Sequence, residues 1–278
     1  MRIKTLYLLI CLAGISACDE LEQPTSNPFV VEAFITADQQ VNDIKIKAAG
    51  DLNDEEIPDL PIDDASIRLI SETDDVLLTY DEATGKYFLD GEDFNINTND
   101  GYSIVIEANG AQATASTTVP EAPTGLILSK NTLTIPTLAL NFGLRQQIQD
   151  LFNEEVITLT WTAVPGRSYF VVIEHLEEDL DPILPQEIPE ESLELLGSFR
   201  FISAPSEIAS FDIIGIALET YGRHVAKVYT VNQEYVDLFN SATQDSRDLN
   251  EPPSNVTNAL GIFTAFAVDS LEFIVQRN

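Results

Sequence analysis

The polar run from Asp90 to Gly101 holds the side chains with the most promising spacing for ligand chemistry. Asp93, Asn95, Asn97 and Asn99 alternate, so an extended backbone sets their oxygens on one side, and calcium takes several such oxygens. An EF-hand loop starting at Asp93 needs Gly at position 98 and Glu at 104, where this chain has Thr98 and Ile104. Asp93, Asn95 and Asn97 therefore stand as calcium candidates for a weak site at most, inside what reads as a polar loop between strands. His175 and His224 are the two histidines, one in each of two expected strands, far from a His-x-x-x-His zinc pattern. They read as surface or internally bonded side chains. No Gly-x-Ser-x-Gly elbow and no phosphate-cradling glycine loop occurs. With 46 acidic residues, neighbouring carboxylates arise by chance. General acid–base work needs one of them raised in an apolar pocket, and the dense acids here fall in solvated loops. The expectation is a protein that is not an enzyme and carries no cofactor.

The cysteines do a different chemistry. There are two, Cys11 and Cys18. Residues 1–18 read MRIKTLYLLICLAGISAC. Arg2 and Lys4 form a basic start, and the apolar run Leu6–Ile15 is too short to span a bilayer, which needs about twenty residues. Ile15-Ser16-Ala17-Cys18 resembles a bacterial lipobox, which implies cleavage between Ala17 and Cys18 and a diacylglyceryl thioether on Cys18. Removal of 1–17 discards Cys11 and leaves a lone, blocked thiol, so no disulfide forms in the mature chain. More than one acyl chain gives stable anchoring that a single chain cannot. Residues 18–28, acidic and proline-bearing, read as a spacer. An acidic stretch behind the lipidated Cys is similar to the export signal of surface-exposed lipoproteins in Bacteroidota, which implies an outer-membrane, cell-surface location; in other Gram-negative bacteria Asp at this position implies inner-membrane retention instead.

Charge excludes whole classes of partner. Lys plus Arg is 14 against 46 acids, a formal charge of −32, and loss of Arg2 and Lys4 with the signal lowers it by two, to −34. Nucleic acid needs a basic face, and so does docking on anionic lipid. Apolar residues make up 44% of the 278-residue chain, enough for a core.

The positioning elements are strands. Phe29–Thr36 is β-branched and aromatic, Ile44–Lys47 and Ala65–Ile70 alternate, and Tyr102–Ala108 returns through Asn109-Gly110, a strong hairpin signal, to Ala111–Val119. After Pro120-Glu121-Ala122-Pro123, strands are expected at Val156–Trp161, Tyr169–Glu174, Val225–Val231, Gly261–Val268 and Leu271–Val275. Short helices are expected in 141–153, after Pro189, and from an Asn232 cap through Thr243. A Trp closing one strand and a Tyr opening the next resembles a fibronectin type III domain, so Trp161 and Tyr169 are expected in the core. The fold class is mainly β: two antiparallel β-sandwich modules, immunoglobulin- or fibronectin III-like, over 29–119 and 120–278, with one or two short helices. Leu176–Leu196 reads as an acidic loop whose Glu177, Glu178, Asp179 and Asp181 are candidate partner contacts. Pro252–Phe266 is the other candidate contact, expected mostly in the core. Asn255-Val256-Thr257 and Asp269-Ser270-Leu271 match short glycosylation patterns.

Taken in order, Phe29–Thr36, Tyr102–Glu107 with Asn109-Gly110 and Val119-Pro120, and Glu251–Asn258 with Gly261–Phe266 resemble Bacteroidota outer-membrane lipoproteins of domain-of-unknown-function family number 4249. That resemblance implies an accessory or binding lipoprotein beside an integral TonB-dependent transporter. A free-standing structural or adhesive surface lipoprotein and a hydrolase of unknown substrate are the competing expectations.

Overall fold

The structure is a computed structural model and describes residues 29–49, 60–91, 94–136, 156–183, 200–215, 218–242 and 253–278. The lipobox with Cys18, the spacer, Asp93, and the helices expected in 141–153 and after Pro189 lie outside the described residues. The strands are β1 (Phe29–Thr36), β2 (Asp43–Ala48), β3 (Ser66–Ile70), β4 (Asp75–Leu77), β5 (Thr79–Asp81), β6 (Lys86–Phe88), β7 (Gly101–Ala108), β8 (Ala111–Thr118), β9 (Ile127–Leu128), β10 (Thr132–Ile135), β11 (Val156–Thr160), β12 (Ser168–His175), β13 (Asp181–Pro182), β14 (Arg200–Ile202), β15 (Ser210–Ile214), β16 (Thr220–Val231) and β17 (Leu260–Arg277), with one described helix, α1 (Gln233–Ala242).

The expected alternation is visible in the burial. β1 buries Phe29, Val31, Ala33 and Ile35 and leaves the residues between them half-exposed. The β7–β8 hairpin closes with Asn109 and Gly110 at φ 53° and 76°, the backbone a two-residue turn with the twist of its strands requires. Tyr87 is 1% exposed. Its hydroxyl donates to the Ile62 carbonyl at 2.7 Å and accepts from the Ala65 amide at 2.9 Å, so the polar tip is satisfied where the ring is buried. Burial pushes this phenol up to about 12.

The sheets form two sandwiches that share a layer. A ten-stranded sheet runs β14-β12-β16-β17-β1-β2-β6-β5, with β10 also paired to β17 and β13 to β16. The four-stranded sheet β4-β3-β7-β8 contributes to the first core, which holds Phe29, Ile46, Tyr102, Ile104 and Phe263. The three-stranded sheet β15-β11-β9 contributes to the second, which holds Ile157, Leu159, Trp161, Tyr169, Val228 and Phe273. Trp161 and Tyr169 meet edge-on at 5.5 Å, as core residues.

Four expectations are corrected. The two closing strands are one, β17, of 18 residues. It serves both cores, giving Phe263, Ala265 and Ala267 to the first and Phe273 and Val275 to the second, so the 29–119 and 120–278 segments share their last strand. The pairing is mixed rather than wholly antiparallel, because β17 runs parallel to β1 and to β10. The acidic loop after Leu176 contains a short strand, since Asp181 and Pro182 pair with Tyr221 and Thr220. Asn232 precedes α1 as expected, but its amide N–H groups reach β8, at Thr117 Oγ1 (3.0 Å) and the Thr118 carbonyl (2.9 Å).

Candidate functional site

A sheet whose inner face packs on a core normally turns a polar face to water. The ten-stranded sheet does not do so where the modules meet. β12 buries Phe170, Val171, Val172 and Ile173 in succession, so both of its faces are covered. Phe170 and Val172 point away from the two cores and join Val231 and Phe266 in a third apolar cluster. Phe34, Tyr229, Tyr235 and Val236 pack against it. Phe170 and Tyr229 stack at 4.7 Å and Phe34 and Phe266 at 5.8 Å, while Tyr235 of α1 stands edge-on to Phe266 at 5.1 Å.

This cluster is the wall of a groove of about 280 Å³, crossing β1, β17, β16, β12 and β14. The β1–β2 loop supplies the opposite rim through Gln39, Gln40 and Asn42, all exposed. Asp43 is the one carboxylate on the groove, and it is bound by Lys86 at 2.6 Å. A second hollow of about 470 Å³ shares Gln39 and Gln40 with the first and continues past Asp38, Asp90, Phe94 and Asn95. Gln40 donates to the Leu89 carbonyl at 3.2 Å, which sets the ridge between them. Burial holds the Tyr235 phenol above its ordinary value.

Helix α1 is fixed over the sheet by a polar brace. Thr117 Oγ1 and Thr264 Oγ1 both donate to Glu234 Oε1, at 3.1 and 3.3 Å. The brace joins β8 of one module to the strand shared by both. It borders an open cleft of about 790 Å³ lined by Tyr102, Ser103 and Ser116 as well.

The residues singled out from sequence are distributed elsewhere. Asn95 and Asn97 point outward around buried Ile96. The Asn97 amide donates to Asp100 at 3.1 Å, and the Tyr102 hydroxyl ties Asn95 O to Asn97 N. Among the described residues no three His, Cys, Asp or Glu side chains converge on a point that could hold a metal. Glu177 accepts from the Arg223 amide at 3.0 Å, and Asp181 from Arg277, whose guanidinium lies 4.6 Å over the Tyr221 ring. These two acids are tied into the fold; Glu178 and Asp179 are exposed.

The two histidines are brought together as cross-strand partners, ring centroids 5.0 Å apart. His175 Nε2 donates to the Tyr221 carbonyl and His224 Nδ1 to the Gly222 carbonyl, at 3.1 and 3.2 Å. Burial lowers His224 to about 4. The adjoining cavity, about 20 Å³, has room for one water. The sequon Asn255 is structural: its Nδ2 donates to Phe263 O at 2.7 Å, and its Oδ1 accepts from Phe263 N at 2.9 Å. The groove itself was not anticipated from the sequence. Its signal is the unbroken apolar run Tyr169-Phe170-Val171-Val172-Ile173, which an alternating strand would not contain.

The family model described as domain of unknown function (DUF4249) matches residues 19–272. The chain belongs to this family. No curated protein matches it. Among solved structures it is similar to domains A168–A170 of titin, at 9% identity, covering 91% of this chain and 68% of that one, TM-score 0.23. It is likewise similar to a two-domain fibronectin type III segment of chicken tenascin, at 11% identity, 88% and 98% coverage and TM-score 0.24. Chicken CNTN1 domains FN1–FN3 give 11% identity, 91% and 68% coverage and TM-score 0.20. The mainly β fold class of this DUF4249 chain rests on the strands and cores described above.

Proposed function

We propose that this DUF4249 protein is a lipid-anchored outer-membrane accessory protein that binds its target without transforming it, beside an integral TonB-dependent transporter. The observation carrying the binding role is the groove: an aromatic wall and an amide rim on a sheet face that would otherwise be polar. Such a site, an apolar wall facing a row of polar groups, suits binding. A catalytic reading lacks support, because among the described residues Tyr235 is the one group with a shifted titration that lines that groove, and it has no acid–base partner there. The lipobox supports the anchor, and the acidic spacer supports the surface location. Confinement by the anchor raises the effective concentration toward membrane neighbours without any new contact.

Cys18→Ala should leave precursor or soluble protein in place of membrane-bound protein. Unchanged membrane fractionation of this variant overturns the anchor. Isolation of the tagged protein from native membranes in mild detergent should bring a near-stoichiometric integral outer-membrane protein with it. Its absence replaces the accessory role with that of a free-standing surface protein.

A further inference from the structure

We propose that the groove at the module junction binds a neutral oligosaccharide, one sugar ring against the aromatic wall of Phe34, Tyr229 and Tyr235 and the next across Gln39 and Gln40. This rests on the binding role above and adds the chemical class of what is bound.

Four observations select that class. First, the described lining of both hollows contains no Lys, Arg or His, and the chain carries a formal charge of −32. Lys86 at the rim is already paired with Asp43, so a phosphate, sulfate or uronate ligand finds no unpaired cation in that lining and meets a repelling field. Second, the floor is the face of central strands. β1, β17, β16 and β12 each have hydrogen-bonded neighbours on both sides, and β14, which reaches the groove through Ile202, is the one end strand of the described sheet there, so along the aromatic wall the amides and carbonyls are not open to an added peptide strand of the kind that binds at a sheet edge. Recognition falls to side chains. Third, those side chains are amides. Gln39 and Asn42 each offer two N–H donors and an acceptor, and Gln40, with one N–H given to the Leu89 carbonyl, offers the other and its acceptor, which matches hydroxyl groups that donate and accept at once. The C–H face of a pyranose is the apolar partner that the ring wall calls for. Fourth, Phe170 stacks on Tyr229 at 4.7 Å and Phe34 on Phe266 at 5.8 Å, while Tyr235 stands edge-on to Phe34 and Phe266, so the rings form one wall, opposite the amide rim. A quaternary ammonium ion needs ring faces converging around it.

The two hollows, about 280 and 470 Å³, together fall within the range of roughly 300–1,000 Å³ usual for small-ligand sites. Their shared residues let one chain of sugars pass from one to the other.

The test is isothermal titration of the intact lipidated protein, held in a polyoxyethylene detergent so that no sugar headgroup competes. The probes are maltohexaose, cellohexaose, xylohexaose and N-acetylchitohexaose, with hexagalacturonate and tetramethylammonium chloride as the anionic and cationic counterparts. At least one neutral hexamer should bind saturably. The double variant Gln39→Ala/Asn42→Ala, altered only at exposed loop positions, should weaken that binding tenfold or more with an unchanged melting temperature. Tyr235→Phe, which keeps the ring and removes the hydroxyl, should weaken it severalfold. No saturable binding by any of the four neutral hexamers overturns the proposal. So does binding that the double variant leaves intact, or saturation by hexagalacturonate or tetramethylammonium alone. The Cys18→Ala protein should bind the same sugar equally well, so failure of the anchor and failure of the groove are read separately.

Discussion

His224 is 3% exposed, and Thr220, Gly222 and His175 surround its ring. Burial, the largest cause, puts its folded value near 4, below the ordinary 6.5. Above pH 6.5 both folded and unfolded chains hold it neutral. As the pH falls from 6.5 toward 4, the unfolded chain takes up a proton that the folded chain refuses, so stability is lost. The loss at pH 4.5 is on the order of 2–3 kcal/mol. It runs against the relief of carboxylate repulsion on acidification, so it is best read as a difference. Urea unfolding at pH 7 and 4.5 should show His224→Gln losing less stability than the parent. Equal losses in the two proteins would show that His224 titrates alike in both states. At Asn255 the two bonds to Phe263 predict that Asn255→Asp, which loses the N–H donor, costs about 1–3 kcal/mol. An unchanged urea midpoint would contradict that.

At the scale of elements, β17 decides the architecture. Gly261 has φ 109°, and a Cβ there would lie 2.0 Å from the Val31 carbonyl oxygen and 2.7 Å from its nitrogen. Gly261→Ala must therefore separate β1 from β17 at the start of their ladder, at a cost of about 2–4 kcal/mol, measurable as a lowered denaturant midpoint. β1, β2, β3, β7 and β8 were legible because each alternates against one core, whereas the three-residue strands β4 and β5 bury no alternate side chains and carry no such pattern. Asn109-Gly110 was legible because a turn with positive φ at both residues demands such residues. The union of the last two strands was hidden by Asp269-Ser270, a polar pair that breaks the apolar run but here pairs with Val228 and Lys227 in an exposed stretch of one long strand. β14 and β15 were missed because Arg200-Phe201-Ile202 and Ser210–Ile214 are short and weakly patterned. The meeting of His175 with His224 was illegible for a different reason. Register between strands 49 residues apart is fixed by the whole sheet, and no local spacing records it.

Over the whole molecule, the sharing of β17 predicts that the first module is not an independent folding unit. A chain ending at residue 119 lacks Phe263, Ala265 and Ala267, three members of its own core, and leaves the β17-facing edge of β1 open. It should give an unfolded or aggregated product by circular dichroism and gel filtration. A cooperative melting transition from that fragment would show that the module stands without its last strand. The brace on Glu234 predicts the complementary result. Glu234→Ala leaves the Thr117 and Thr264 hydroxyls without their shared acceptor and should increase hydrogen exchange in α1, while both cores stay protected.

The parallel ladder between β1 and β17 also has a mechanical meaning. Seven residue pairs join them, from Val30–Leu260 to Thr36–Phe266. The proposed tether at residue 18 would transmit load into Phe29, the start of β1, while a pull on the far end of the chain would act beyond Arg277. In parallel strands those two points lie at opposite ends of the pair, so tension drives the strands past each other and loads the rungs together, in shear. Handles at residues 29 and 48 would instead open the antiparallel β1–β2 pair from its end, one rung at a time. The protein should yield at clearly higher force when stretched between its termini than between those two residues. The molecule is thus wired to bear strain along the line on which its anchor would apply it.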